Sequence, residues 1–231
     1  MIGSGLNALG ILCGSLLLAA SSTPESPLHV PEAARSLASQ GEKAFAQGNL
    51  KQAETLYKQA VAIDSGTPPL IISLAAVETR LGNLDESRTL LRKALGLDLD
   101  NSAAWLLLGM NALDQERDEE AFADLIQATL HDRKNPRAHN YLGIAAGRKG
   151  WIEASEEELR RAVDLDPTYA DANFNLAVLY LRRTPPLTEL ARRHYQRALD
   201  LGAQRDQAIE DQLAKTVAVP TITPSASAPL P

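Results

Sequence analysis

Between residues 34 and 205 the apolar positions fall at helical spacing, in short runs separated by polar breaks. In the stretch 136–169, Leu142 and Ala146 lie before Lys149-Gly150, and Leu159, Ala162 and Val163 lie after it. Spacing of three and four residues on both sides of a glycine predicts two amphipathic helices joined by a tight turn. Pro167 follows the second run and cannot continue it. Ahead of this region, Leu6 to Ala20 is a continuous apolar stretch, and residues 2 to 24 carry no Asp, Glu, Lys or Arg.

The helical pattern repeats. Ala60, Ala94, Ala128 and Ala162 are each 34 residues apart, as are Leu74, Leu108, Leu142 and Leu176, and Tyr57, Leu91, Leu125 and Leu159. Gly48 and Gly82 keep the same interval, and Gly150 falls at twice that distance. Several columns at one period define units 34–67, 68–101, 102–135, 136–169 and 170–205, the last lengthened at Pro185-Pro186. A helix pair of this size cannot bury its apolar face alone, so stacked pairs are needed to make a core.

The pattern resembles the tetratricopeptide repeat. Trp105, Leu108 and Gly109 match its first helix, and Ala121, Leu125 and Ala128 its second. Leu142, Gly143, Gly150, Leu159, Ala162 and Pro167 match in the fourth unit, and Gly41, Gly48, Ala53, Tyr57 and Ala60 in the first. Leu74, Gly82, Leu91 and Ala94 match in the second unit, and Leu176, Tyr180, Ala191, Tyr195 and Ala198 in the fifth. Ser87 and Ser155 depart from the second-helix alanine, and Glu116 from the turn glycine. The resemblance implies an all-α, right-handed α-solenoid of about five helix-turn-helix repeats. These matching residues are packing positions, so they carry fold rather than chemistry.

It also implies that first helices line a concave groove. The positions involved include Ile72, Leu106, Met110, Leu113, Asn140, Ile144, Phe174 and Val178. They predict an apolar stripe that either receives a partner or is covered by the solenoid's own curvature or C-terminal helix. If it receives a partner, replacing Leu106 and Phe174 with aspartate leaves helix content intact while abolishing binding. The form of groove that clamps a terminal carboxylate is not expected, because Ala38 and Glu42 stand where it needs Lys and Asn.

The remaining segments read by composition. Residues 1–22 predict a signal peptide or a signal anchor, because small residues and SSTPESP follow the apolar run. The chain is therefore expected outside the cytoplasm, periplasmic or secreted, with membrane contact only through an uncleaved leader. Residues 23–33 read as a linker and 206–215 as a capping helix. Residues 216–231, uncharged and rich in Pro, Ser and Thr, predict a disordered tail.

Composition then narrows the chemistry. Aromatics make up only 4% of the 231 residues, which favours a Leu/Ala core over an all-β one. Cys13 is the single cysteine, so neither an internal disulfide nor a cysteine zinc site is available. His131 and His139 are eight apart without completing ligands, and no metal or cofactor is expected. His139 takes the repeat's Trp position and predicts packing, whereas His194 predicts a solvent-facing side chain. Ser155 and Glu156 lack a placed histidine, so no catalytic set is predicted and no enzyme is expected.

Net charge is −6, distributed as −8 over residues 25–132, +4 over 133–205 and −2 beyond. The basic set Arg160, Arg161, Arg182, Arg183, Arg192 and Arg193 reads either as solvated helix faces or as a patch for an acidic partner. Glu156 with Arg160 and Glu157 with Arg161 are candidate i,i+4 pairs. The acidic total argues against nucleic acid. The sequence thus predicts a non-catalytic scaffold binding a protein or peptide in an envelope assembly. Self-assembly through the acidic and basic lobes, giving a homo-oligomer, and service as an accessory subunit of an envelope enzyme are the alternatives.

Overall fold

The computed structural model describes residues 30–215, so the expected leader and tail lie outside the described residues. Among the described residues the secondary structure is eleven helices with no strand. They are α1 (Glu32–Ala46), α2 (Leu50–Ile63), α3 (Pro68–Arg80), α4 (Leu84–Leu97), α5 (Ser102–Asp114) and α6 (Asp118–His131). Then follow α7 (Pro136–Arg148), α8 (Ile152–Leu165), α9 (Ala170–Arg182), α10 (Thr188–Asp200) and α11 (Gln207–Lys215).

The chain enters and leaves these helices by local rules. Pro68 and Pro136 occupy first helical positions, where a missing N–H costs nothing. Asn101 and Asn135 cap α5 and α7 by accepting backbone N–H groups with their side-chain oxygens. Inside each hairpin the turn needs a left-handed residue. Gly48, Gly82 and Gly150 supply it, with φ between 77° and 82°. In the third hairpin Glu116 adopts φ 56° itself, which is the cost of the missing glycine.

One contact recurs between the helices of a pair. Gly109 of α5 lies under Leu125 of α6, and Gly143 of α7 under Leu159 of α8. Leu91, Leu125 and Ala60, Ala94, Ala128 and Ala162 are fully buried, so the 34-residue columns are the core. A buried leucine of this kind contributes roughly 1.5–3 kcal/mol of apolar transfer energy. The two serines in alanine positions are satisfied: Ser155 Oγ donates to the Gly143 carbonyl at 2.7 Å, and Ser87 joins Thr79 and Asn111. Glu78, 1% exposed, accepts from Asn83 Nδ2 at 2.7 Å and lies 3.2 Å from Lys58 Nζ.

Successive first helices touch one another, α3 with α5, α5 with α7 and α7 with α9, whereas successive second helices make no comparable contact. The first helices therefore line the inside of the curve and the second helices its outside. At the end of the stack, α11 packs on α9 and α10 through Ile209 and Leu213.

Candidate partner groove

The inner surface is only partly the open stripe that the sequence predicts. Ile72, Leu106 and Leu113 are buried and are corrected from groove to core. Neighbouring first helices close over them. Ile72 packs with Ala104 and Leu107 of α5, and Leu106 and Leu113 pack with Ala138, Leu142 and Ala145 of α7. Met110, Ile144, Phe174 and Val178 keep part of their surface open, on α5, α7 and α9. Of the eight predicted positions, those with open surface thus lie on α5, α7 and α9.

Aromatic and amide groups join them there. Tyr141 packs beside Ile144, and Phe174 lies 6.1 Å from the Tyr195 ring. Asn140 is buried rather than presented: it accepts from Asn175 Nδ2 at 2.9 Å and donates to Tyr169 Oη at 3.4 Å. This amide pair ties α7 to α9. Burial raises both Tyr141 and Tyr169 above ordinary phenol values, so both phenols remain neutral.

Two carboxylates stand on the groove walls, Asp114 at the end of α5 and Asp171 at the start of α9. Both are exposed, and partial desolvation by the neighbouring helices raises both, against the opposing pull of Arg148 and Arg137 respectively. Arg148 is itself committed, donating to the Leu113 carbonyl at 2.7 Å and reaching Asp118 at 3.3 Å.

The basic set does not act as one patch. Arg183 is held by Glu153 at 3.0 Å and by a close contact with Glu156. Arg192 donates to the Leu213 carbonyl at 3.0 Å, and Arg160 meets Glu156 only at 3.9 Å. Arg161, Arg182 and Arg193 are exposed with no carboxylate within ion-pair distance among the described residues, so the Glu157–Arg161 pair is not formed. A separate cleft of about 520 Å³ opens among the second helices, floored by Leu95, Leu99, Trp105 and Leu108. Burial there pushes Asp124 up to about 6.

The three described histidines each meet a neighbouring side chain. His131 faces Asp100 and His139 faces Glu158, so they are not brought to one point. No set of three His, Cys, Asp or Glu side chains able to hold a metal occurs among the described residues. His194 is corrected from solvent-facing to half-buried, hydrogen-bonded to Asn173 at 3.0 Å. His139 meets two acceptors, Glu158 at 2.6 Å and the Arg133 carbonyl at 3.1 Å. Both ring nitrogens then donate, which raises its pKa, chiefly through Glu158.

A histidine raised in the folded state stabilises most below its unfolded pKa of about 6.5, and that contribution disappears as pH rises through the folded value. Thermal melts from pH 5.5 to 8.5 should show this loss, and Glu158→Gln should flatten it. Identical slopes in the two proteins would remove the ion pair from the account.

Family models described as tetratricopeptide repeat match residues 44–110, 109–169 and 140–206. The chain belongs to the tetratricopeptide repeat family. Members of this family are built as scaffolds for protein–protein interaction, and the helix pairs described above are its units. Among curated proteins, the tetratricopeptide region is 28% identical over 156 residues to cellulose synthase operon protein C of Pseudomonas fluorescens (strain SBW25). That match covers 63% of the chain and only 12% of the relative's length. Among solved structures, Pseudomonas aeruginosa PilF superimposes with a TM-score of 0.72 at 23% identity, covering 80% of this chain and 85% of its own. YrrB, described as a tetratricopeptide protein with an unusual peptide-binding site, gives 0.58 at 20% identity, covering 79% and 92%. At these identities the structures share the fold.

Proposed function

We propose that this chain is a non-catalytic adaptor in a bacterial envelope assembly, holding an extended segment or helix of a partner protein along α5, α7 and α9. The observation that carries this reading is the set Met110, Tyr141, Ile144, Phe174 and Val178, each partly open on the first helices α5, α7 and α9, with the Asn140–Asn175 pair tying α7 to α9. Half-exposed apolar and aromatic side chains gathered in a concavity are the surface a partner segment would cover. The charge-free leader supports export. The acidic total argues against nucleic acid as the partner.

The test is crosslinking in the native cell, with affinity purification of the wild type and of a Met110→Gln, Ile144→Gln variant. One envelope protein recovered with the wild type and lost at least tenfold with the variant, at unchanged helix content, supports the reading. Equal recovery with both proteins moves binding off the inner surface.

A second reading draws on Arg161, Arg182 and Arg193, which pair with no carboxylate among the described residues, and on the acidic first three units. Self-association through these surfaces should appear in sedimentation at low salt and vanish at high salt. A monomer at high concentration in low salt rules it out.

A further inference from the structure

We propose that the first occupant of this groove is the chain's own C-terminal segment, Thr216–Pro231, lying extended across α9 and α7. The proposal rests on the groove reading above and names the class of ligand that the groove takes: an uncharged, proline-spaced, extended segment.

The exit point is the first argument. α11 packs on α9 and α10. It is fixed there by Ile209, Leu213 and the Arg192 bond to the Leu213 carbonyl. Lys215 ends α11, so the segment that follows leaves from a helix seated on α9, the last helix of the proposed groove.

Composition is the second. Thr216 to Pro231 contains no charged side chain, with prolines at 220, 224, 229 and 231 and apolar residues Val217, Val219, Ile222 and Leu230 between them. Proline at that density biases a chain to the polyproline II form, which has little conformational freedom left to lose on docking. Grooves lined with aromatic side chains receive such segments, and here Tyr141 and Phe174 are the aromatic members of the floor. An uncharged occupant also leaves Asp171 with Arg137 as it stands, without a new buried charge to compensate.

Reach is the third. At about 3.1 Å per residue the segment spans roughly 50 Å. Packed helices lie about 8–10 Å apart, so the path from α11 over α9 and α7 to α5 needs roughly 30 Å. Tethering places the segment at an effective concentration in the millimolar range, so weak contacts suffice to fill the groove.

The experiment uses the whole chain with Cys13→Ser and Ser227→Cys, a spin label on the new thiol, and methyl-labelled Met110, Ile144 and Val178. The expected result is strong paramagnetic broadening of these three methyls and none at Ile63 or Leu97 on the outer rim. Val219→Asp with Ile222→Asp in the same chain should abolish the broadening. A synthetic peptide of residues 216–231 should bind a chain ending at Lys215 at least tenfold more tightly than it binds the full chain, because the tethered copy competes. Broadening confined to the outer helices, or equal peptide affinity for the two chains, overturns the proposal. If the tail peptide fails while Met110→Gln, Ile144→Gln still loses a native partner, the tail proposal falls and the groove reading stands. If neither holds, both fall.

Discussion

Replacing Leu106 with aspartate is expected to unfold the middle of the solenoid, lowering stability by more than about 4 kcal/mol. Leu106 is 3% exposed and packs between α5 and α7. Removing a buried leucine side chain costs about 2–5 kcal/mol in lost transfer energy and cavity formation. A carboxyl group left there without a partner adds roughly 1–3 kcal/mol even when protonated. In a stack where each pair contacts only its neighbours, a failure in the third of five pairs also uncouples the two ends. Urea titration followed by far-ultraviolet circular dichroism should therefore show a large fall in midpoint, or no folded baseline. Phe174→Asp should cost less, because Phe174 is only half-buried. A Leu106→Asp protein with a midpoint unchanged within about 0.5 kcal/mol would return Leu106 to the open groove and reinstate the two residues as a binding test.

That contrast marks how far the sequence is legible. The columns of Ala60, Ala94, Ala128 and Ala162 can be read directly because every pair uses the same position for the same inward contact, and all four are fully buried. His139, expected to pack in the Trp position, is instead held by Glu158 and the Arg133 carbonyl, partners that its place in the repeat does not reveal. Exposure along the inner surface is a different quantity. It depends on how far each first helix leans on the next, which is fixed by contacts 30 to 40 residues apart and leaves no periodic trace. Hence Ile72, Leu106 and Leu113 fall in the core, whereas Met110 and Ile144, at equally apolar positions, stay partly open. Glu78 and the Asn140–Asn175 pair are hidden likewise, since a polar letter carries no sign of the partner that buries it. For Asn140 the nearest signal is Asn175, 35 residues later, a single coincidence among many.

Gly109→Ala and Gly96→Ala, two identical changes in neighbouring helices, are expected to move stability in opposite directions. On an exposed helix surface, alanine is favoured over glycine by about 1 kcal/mol, because it loses less backbone entropy. At Gly96 in α4 an added methyl would meet nothing within 4 Å, so the change should stabilise by roughly that amount. At Gly109 in α5 the same methyl would lie 2.4 Å from Leu125 Cγ and 3.2 Å from the Ala121 carbonyl. Leu125 is fully buried, and the carbonyl belongs to the backbone of α6. Overpacking of this kind typically costs about 1–3 kcal/mol, so α5 and α6 must separate and Gly109→Ala should destabilise by about 2–3 kcal/mol. Adding Leu125→Ala to Gly109→Ala removes the obstacle. If close approach is the reason for the glycine, the double variant should be more stable than the sum of the two single losses predicts, by at least about 1 kcal/mol. Strict additivity would mean that Gly109 is required for its backbone rather than for the space above it.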